Sequence, residues 1–150
     1  MSKAHNTADM AVFGFFNEVG IINQLSTTLL ATCLPDGVHP SHFAIINHLV
    51  RMGDEKSPVR IAAAMQVTKN TMTHSLKVLS ERGFIEVGPD PEDGRGKIVK
   101  LTYAGRAFRE DAIKRVTDRF SVIVQPEHRD IMQKTLGDLV VIRRLLDENR

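Results

Sequence analysis

Asn70, Thr71, Thr73, His74 and Lys77 fall on one side of residues 68–82, and Met72, Leu76 and Leu79 fall on the other. Those polar types at that spacing can read a DNA duplex. An asparagine amide pairs with an adenine edge, and a threonine methyl packs on a thymine methyl. Hydroxyl, imidazole and ammonium groups reach bases or phosphates. Thr68 and Lys69 open the same stretch. Thr68 can cap a helix there, and a helix N-terminus itself attracts phosphate. A second group, Asp93, Arg95 and Lys97, lies in Gly88–Lys97, a run with three glycines, two prolines and alternating charge. A narrow minor groove concentrates negative potential, which favours an inserted guanidinium. The alternative for both groups is a polar face that meets only water.

Other chemistry has less support. His39, His42 and His48 have metal-like spacing, but His39 and His42 straddle Pro40, and no matched Cys or carboxylate cluster accompanies them. A place near an effector pocket is the functional reading for His42, and a surface or core polar residue is the plain one. Cys33 is the only cysteine and has no basic neighbour in sequence to activate it, so an inert thiol is expected. No nucleophile–base pair, phosphate-binding glycine loop or His-Glu-x-x-His site is present. Catalytic residues, metal and cofactors are therefore not expected.

The elements that must carry these residues follow from periodicity and punctuation. Phe13, Phe16, Ile22, Leu25 and Leu29 recur at helical spacing over residues 7–33, with Asn6 or Thr7 as cap and Leu34-Pro35-Asp36-Gly37 as stop. Gly14 and Gly20 lower helix propensity there by about 1 kcal/mol each. Ser41 can cap a second helix to about Met52, with Phe43, Ile46, Leu49 and Val50 inward. Ser57-Pro58 then starts a short helix with Ile61, Ala62 and Met65 inward. Gln66-Val67-Thr68 is a tight connection to the next helix, which Gly83 stops. Phe84–Val87 and Ile98–Leu101 read as strands around a long solvated tip. Thr102 caps a helix to about Val124, with Ala104, Phe108, Ala112, Val116, Phe120 and Ile123 on one face. Pro126 opens a last helix whose Met132, Leu136, Leu139, Ile142 and Leu146 form a stripe widened by Val140, Val141 and Leu145.

A short helix, a tight turn, a second helix and a hairpin make a winged helix-turn-helix, read over residues 38–102. The fold class is mainly α with a small β-hairpin wing, flanked by helices at 7–33 and 103–148, in a single domain over 1–150. The wide last stripe needs more than one partner surface. The expectation is a homodimer whose interface includes Phe13, Phe16, Met132, Leu136, Leu139, Ile142 and Leu146.

Composition bounds the rest. The chain has 150 residues, 42% hydrophobic and 25% charged, enough for one sizeable core. Net charge is only +2, so nucleic-acid binding would need a local patch. Tryptophan is absent and Tyr103 is the only tyrosine, which disfavours stacking platforms for single strands. No run of 18 apolar residues exists to span a membrane. No secretory leader is read at the N-terminus, and a single cysteine fits a reducing compartment, so a cytoplasmic location is expected.

Val67-Thr68-Lys69-Asn70-Thr71-Met72-Thr73, with Leu76, Leu79, Gly83 and Phe84, resembles the MarR family of bacterial transcriptional regulators. The more specific stretch is Asp90-Pro91-Glu92-Asp93-Gly94-Arg95, followed by Lys97, Val99, Leu101-Thr102 and Gly105. The resemblance implies a winged-helix homodimer on pseudo-palindromic double-stranded promoter DNA, usually a repressor. It implies a wing arginine, here Arg95, in the minor groove and an aspartate, here Asp93, that orients it. It implies release by a small, often aromatic, effector, for which a cavity is expected where the first, second and fifth helices meet. Some members sense zinc through histidines on the helix after the wing, and none stands between Tyr103 and Val124 here. Some sense peroxide through a cysteine near the start of the first helix, whereas Cys33 is at its end. Two other functions remain: a winged-helix module that holds protein rather than DNA, and a small enzyme.

Overall fold

The protein is described by a computed structural model covering residues 2–53 and 55–149. In chain order the elements are α1 (Ser2–Ala31), α2 (Pro40–Met52), β1 (Glu55–Lys56), α3 (Pro58–Met65), α4 (Lys69–Glu81), β2 (Ile85–Pro89), β3 (Lys97–Leu101), α5 (Tyr103–Ile123) and α6 (Pro126–Glu148). They fall into two compact units, Met1–Ile113 and Lys114–Arg150, with the boundary inside α5.

In the first unit, one apolar core joins α2, α3, α4 and the sheet. Ile46, Leu49, Ile61, Met72, Leu79, Ile85 and Val99 are fully buried in it. Each such side chain contributes about 1.5–3 kcal/mol by leaving water. The stripe Met72, Leu76 and Leu79 is the inner side of α4, so the opposite polar side faces out. Phe84 stacks on Phe108 with ring centroids 4.4 Å apart, and Phe43 meets Phe108 edge-on. In the second unit, α6 has no buried residue.

Several starts and stops differ from the sequence reading. Helix α1 begins at Ser2, so Asn6 and Thr7 lie inside it rather than capping it. Helix α2 opens at Pro40 with His39 as its N-cap, not at Ser41. A proline is already set for the first helical position and lacks only an N–H that would have no helical partner. With that start, the buried face is His42, Ile45, Ile46 and Leu49, while Phe43 and Val50 are half-buried. On α5, Gly105 and Ala112 are buried, whereas Ala104 and Ile123 are exposed. A Cβ on Gly105 would collide with the carbonyl oxygen of Phe84 and lie 2.8 Å from Leu101 Cδ1. Bare backbone therefore packs where a side chain is expected from the apolar pattern.

The sheet has three antiparallel strands in the order β1-β3-β2. The edge strand β1 leaves no mark in the sequence pattern, because two residues carry no periodicity. The hairpin is also longer than the pattern suggests, since Gly88 pairs with Ile98 and Pro89 with Lys97. The tip is thereby reduced to residues 90–96.

Candidate nucleic-acid interface

The two ends of the helix-turn-helix are set by local chemistry. Ser57 Oγ accepts the Arg60 N–H at 3.4 Å and starts α3. Gln66 ends it in the left-handed region at φ 53°, the one non-glycine residue with positive φ among the described residues. Thr68 Oγ1 accepts the Thr71 N–H at 3.2 Å and lies 2.9 Å from Thr71 Oγ1, which fixes the first turn of α4.

Beyond that cap, Lys69, Asn70, Thr71, Thr73, His74 and Lys77 are all exposed. Thr73 donates its hydroxyl to the Lys69 carbonyl at 2.9 Å, which leaves the hydroxyl oxygen to accept from a partner. Lys77 lies 3.8 Å from Glu81, with both side chains well exposed. An exposed pair of this kind holds its lysine weakly. Ser75, which no sequence pattern marks, is buried on the inner side. A small residue one position past an exposed histidine gives no apolar signal.

The wing tip is organised by its own carboxylates. Asp90 Oδ1 accepts the Glu92 N–H at 3.0 Å, and Asp93 Oδ1 accepts the Arg95 N–H at 3.1 Å. Backbone bonds from Asp90 N–H to Gly96 O and from Gly96 N–H to Asp93 O close the turn. Asp93 thus orients Arg95 through the arginine's backbone, an Asx turn, and the guanidinium stays exposed. Lys97 is exposed as well, and it shares a cavity of about 360 Å³ with Thr73 and Lys77 of α4. Helix and wing side chains therefore meet on one face of this unit.

Beside the wing tip, Lys56, Ser57 and Arg60 line a cavity of about 370 Å³ with Asp90 and Glu92. Lys56 and Arg60 carry no signal in the sequence, because β1, which brings Lys56 there, is not legible in it. The wing is tied to the core by Thr102. Its hydroxyl donates to Gly83 O at 2.7 Å and accepts the Gly105 N–H at 3.0 Å.

His42 is buried, and its Nδ1 accepts the His39 N–H at 3.0 Å. Its pKa is held below the ordinary histidine value by burial first, and then by His39, His74 and Arg82. It lines a cavity of about 610 Å³ with His39, His74 and Ser75, between the start of α2 and α4. That is not the junction of the first, second and fifth helices anticipated for an effector. A side chain in the first turn leans back toward the helix N-terminus, which here faces α4. Among the described residues no group of three metal-ligating side chains could hold an ion. No helix among them is long and apolar enough to cross a membrane. Cys33 is buried.

The residues expected at a dimer interface are open in the single chain. Phe13 is 66% exposed on α1, and Met132 and Leu136 are 57% and 61% exposed on α6. Phe16, Leu139 and Leu146 are also exposed, and Ile142 is half-buried.

Comparison with known proteins gives this geometry a family. The sequence profile of the MarR family matches residues 36–96. The HTH-type transcriptional repressor YetL of Bacillus subtilis is 31% identical over 107 residues, 69% of this chain and 64% of YetL, so the match spans just under two thirds of that relative. The multiple antibiotic resistance protein MarR of Escherichia coli is 26% identical over 81% of this chain and 80% of its own length. A mutant of it, solved in complex with operator DNA, superposes with a TM-score of 0.62 at 22% identity, covering 86% of this chain and 95% of that one. BpsR of Bordetella bronchiseptica, solved in a study of its regulation by 6-hydroxynicotinic acid, superposes equally well (TM-score 0.62, 21% identity, 85% of this chain and 98% of that one). The helix-turn-helix and wing of this chain, residues 36–96, are those of the MarR family, and its wider fold is shared with MarR.

Proposed function

We propose that this protein is a sequence-specific, double-stranded-DNA-binding transcriptional regulator, working as a homodimeric repressor in the cytoplasm. The observation that carries the reading is one exposed polar face on a capped helix, with Asn70, His74 and Lys77 open, and a wing that presents Arg95 and Lys97. A helix of this kind fits the major groove with its N-terminal residues at the base edges, and the wing cation suits the minor groove. YetL's name as a repressor and the operator complex of MarR support the same function. The exposed apolar residues of α1 and α6 support a second copy as the partner that covers them. Two-fold symmetry would set two recognition helices about 34–36 Å apart, one turn of DNA. BpsR supports release by a small aromatic effector.

The test is selection of duplexes from a random library by the purified protein, followed by mobility shifts. Enrichment of a pseudo-palindrome bound far more tightly than a scrambled duplex is the expected result. Recovery of no preferred sequence would remove the reading and leave a winged-helix module that holds protein.

A further inference from the structure

Three of the chain's six histidines surround the cavity between the start of α2 and α4: His39, His42 and His74. Their arrangement depends on protonation state. His42 is the third residue of α2 and only 4% exposed. Its Nδ1 accepts the N–H of His39, whose ring centroid is 5.4 Å from its own. A ring nitrogen that accepts an N–H carries no proton, so the His42 ring is neutral with its hydrogen on Nε2. A proton on Nδ1 would set donor against donor and break the bond that caps α2.

The surroundings offer that proton no compensation. The loop before α2 presents His39, and Asp36 uses its backbone carbonyl to accept from the Arg82 guanidinium. From the other side come His74 of α4 and Arg82 at its C-terminal end. His39, His74 and Arg82 each oppose a charge on His42, and burial opposes it more. The unfolded chain therefore takes up this proton near pH 6.5, while the folded chain takes it up only at lower pH. The neutral ring's contribution to stability is complete above that pH and declines as pH falls toward the folded value.

We propose that the His39–His42–His74 cluster is a pH-sensitive latch, in which protonation of His42 frees the first turn of α2 from α4 and weakens DNA binding in mildly acidic solution. The coupling to DNA rests on α4 being the recognition helix, as proposed above. His74 stands on the DNA-facing side as well as on this cavity, so its own contact with DNA is a second, separate effect.

His42→Gln separates the two effects. A glutamine at this position accepts the N-cap N–H, as in a capping box, and does not titrate. Wild type and His42→Gln are compared at pH 7.5 and 5.5, by melting temperature and by anisotropy on the duplex that wild type selects at pH 7.5. Wild type should lose several-fold in affinity and melt lower at pH 5.5, and the variant should lose much less of both. Parallel behaviour of the two proteins overturns the latch, and so does a difference confined to melting. If no duplex is selected, the proposed function fails and the coupling to DNA fails with it, and the melting comparison then decides only whether protonation of His42 loosens the start of α2. If the variant does not fold, NMR of wild type decides. The His39 amide must lose exchange protection as the His42 ring titrates, and retained protection overturns the proposal.

Discussion

An arginine on a hairpin tip meets a groove reproducibly only if the backbone beneath it holds one conformation. Asp93 provides that hold through the Arg95 N–H rather than through the guanidinium. The distinction separates two substitutions. Asp93→Asn keeps an oxygen for the Asx turn and should bind duplex like wild type. Asp93→Ala should weaken binding while leaving the number of cations on the DNA, and so the salt dependence, nearly unchanged. Equal behaviour of the two variants in salt-titrated anisotropy would show that the turn is not what Asp93 supplies. Asn70 is exposed beyond the cap of α4 and has an amide able to pair with one base. Asn70→Ala should cost about 1–3 kcal/mol at one base position per half-site, read from binding to single-position operator variants. A uniform loss on all sequences would make Asn70 a phosphate-binding residue instead.

The wing is held on the core by Thr102, which the sequence marks as a helix cap, and by Gly105, which stands out there only through a family resemblance. The structure gives them a physical reason. Thr102 joins the end of α4 to the start of α5 through Gly83 O and the Gly105 N–H, and Gly105 leaves room for the Phe84 carbonyl. Thr102→Val keeps the volume and loses both bonds, which should lower stability by about 1–2 kcal/mol. Gly105→Ala must push the Phe84 backbone aside, for about 1–3 kcal/mol or more. Denaturant unfolding measures both, and an unchanged midpoint for Gly105→Ala would contradict the close approach. The same region shows what is legible in sequence. The caps at Ser57 and Thr68, the stop at Gly83 and the stripe on α4 are readable because each is local chemistry between near neighbours. Strand β1 is not, because its partner β3 lies more than forty residues away along the chain. Nor is the His42 cavity, which needs α2 and α4 packed together. The exposed faces of α4 and the wing are legible singly. That Lys77 and Lys97 line one cavity depends on the sheet's register.

The whole chain leaves many large apolar side chains open, on α1 in one unit and on α6 in the other. Exposed apolar surface on that scale marks an interaction face. The proposed dimer covers it. Leu139→Lys with Leu146→Lys should separate or unfold the subunits, and wild type should scatter light as a dimer at micromolar concentration. A wild-type monomer there would remove the symmetry on which two half-sites depend. The central claim is that α4 and the wing grip one DNA duplex together, α4 for sequence and the wing for charge and groove width. Its most direct test is anisotropy of the selected duplex over a range of salt concentrations, for wild type and Arg95→Ala. The variant should bind every sequence more weakly, with a salt slope shallower by roughly 1 for each phosphate it no longer neutralises. An Arg95→Ala protein that binds like wild type at every salt concentration would mean that the wing does not touch DNA.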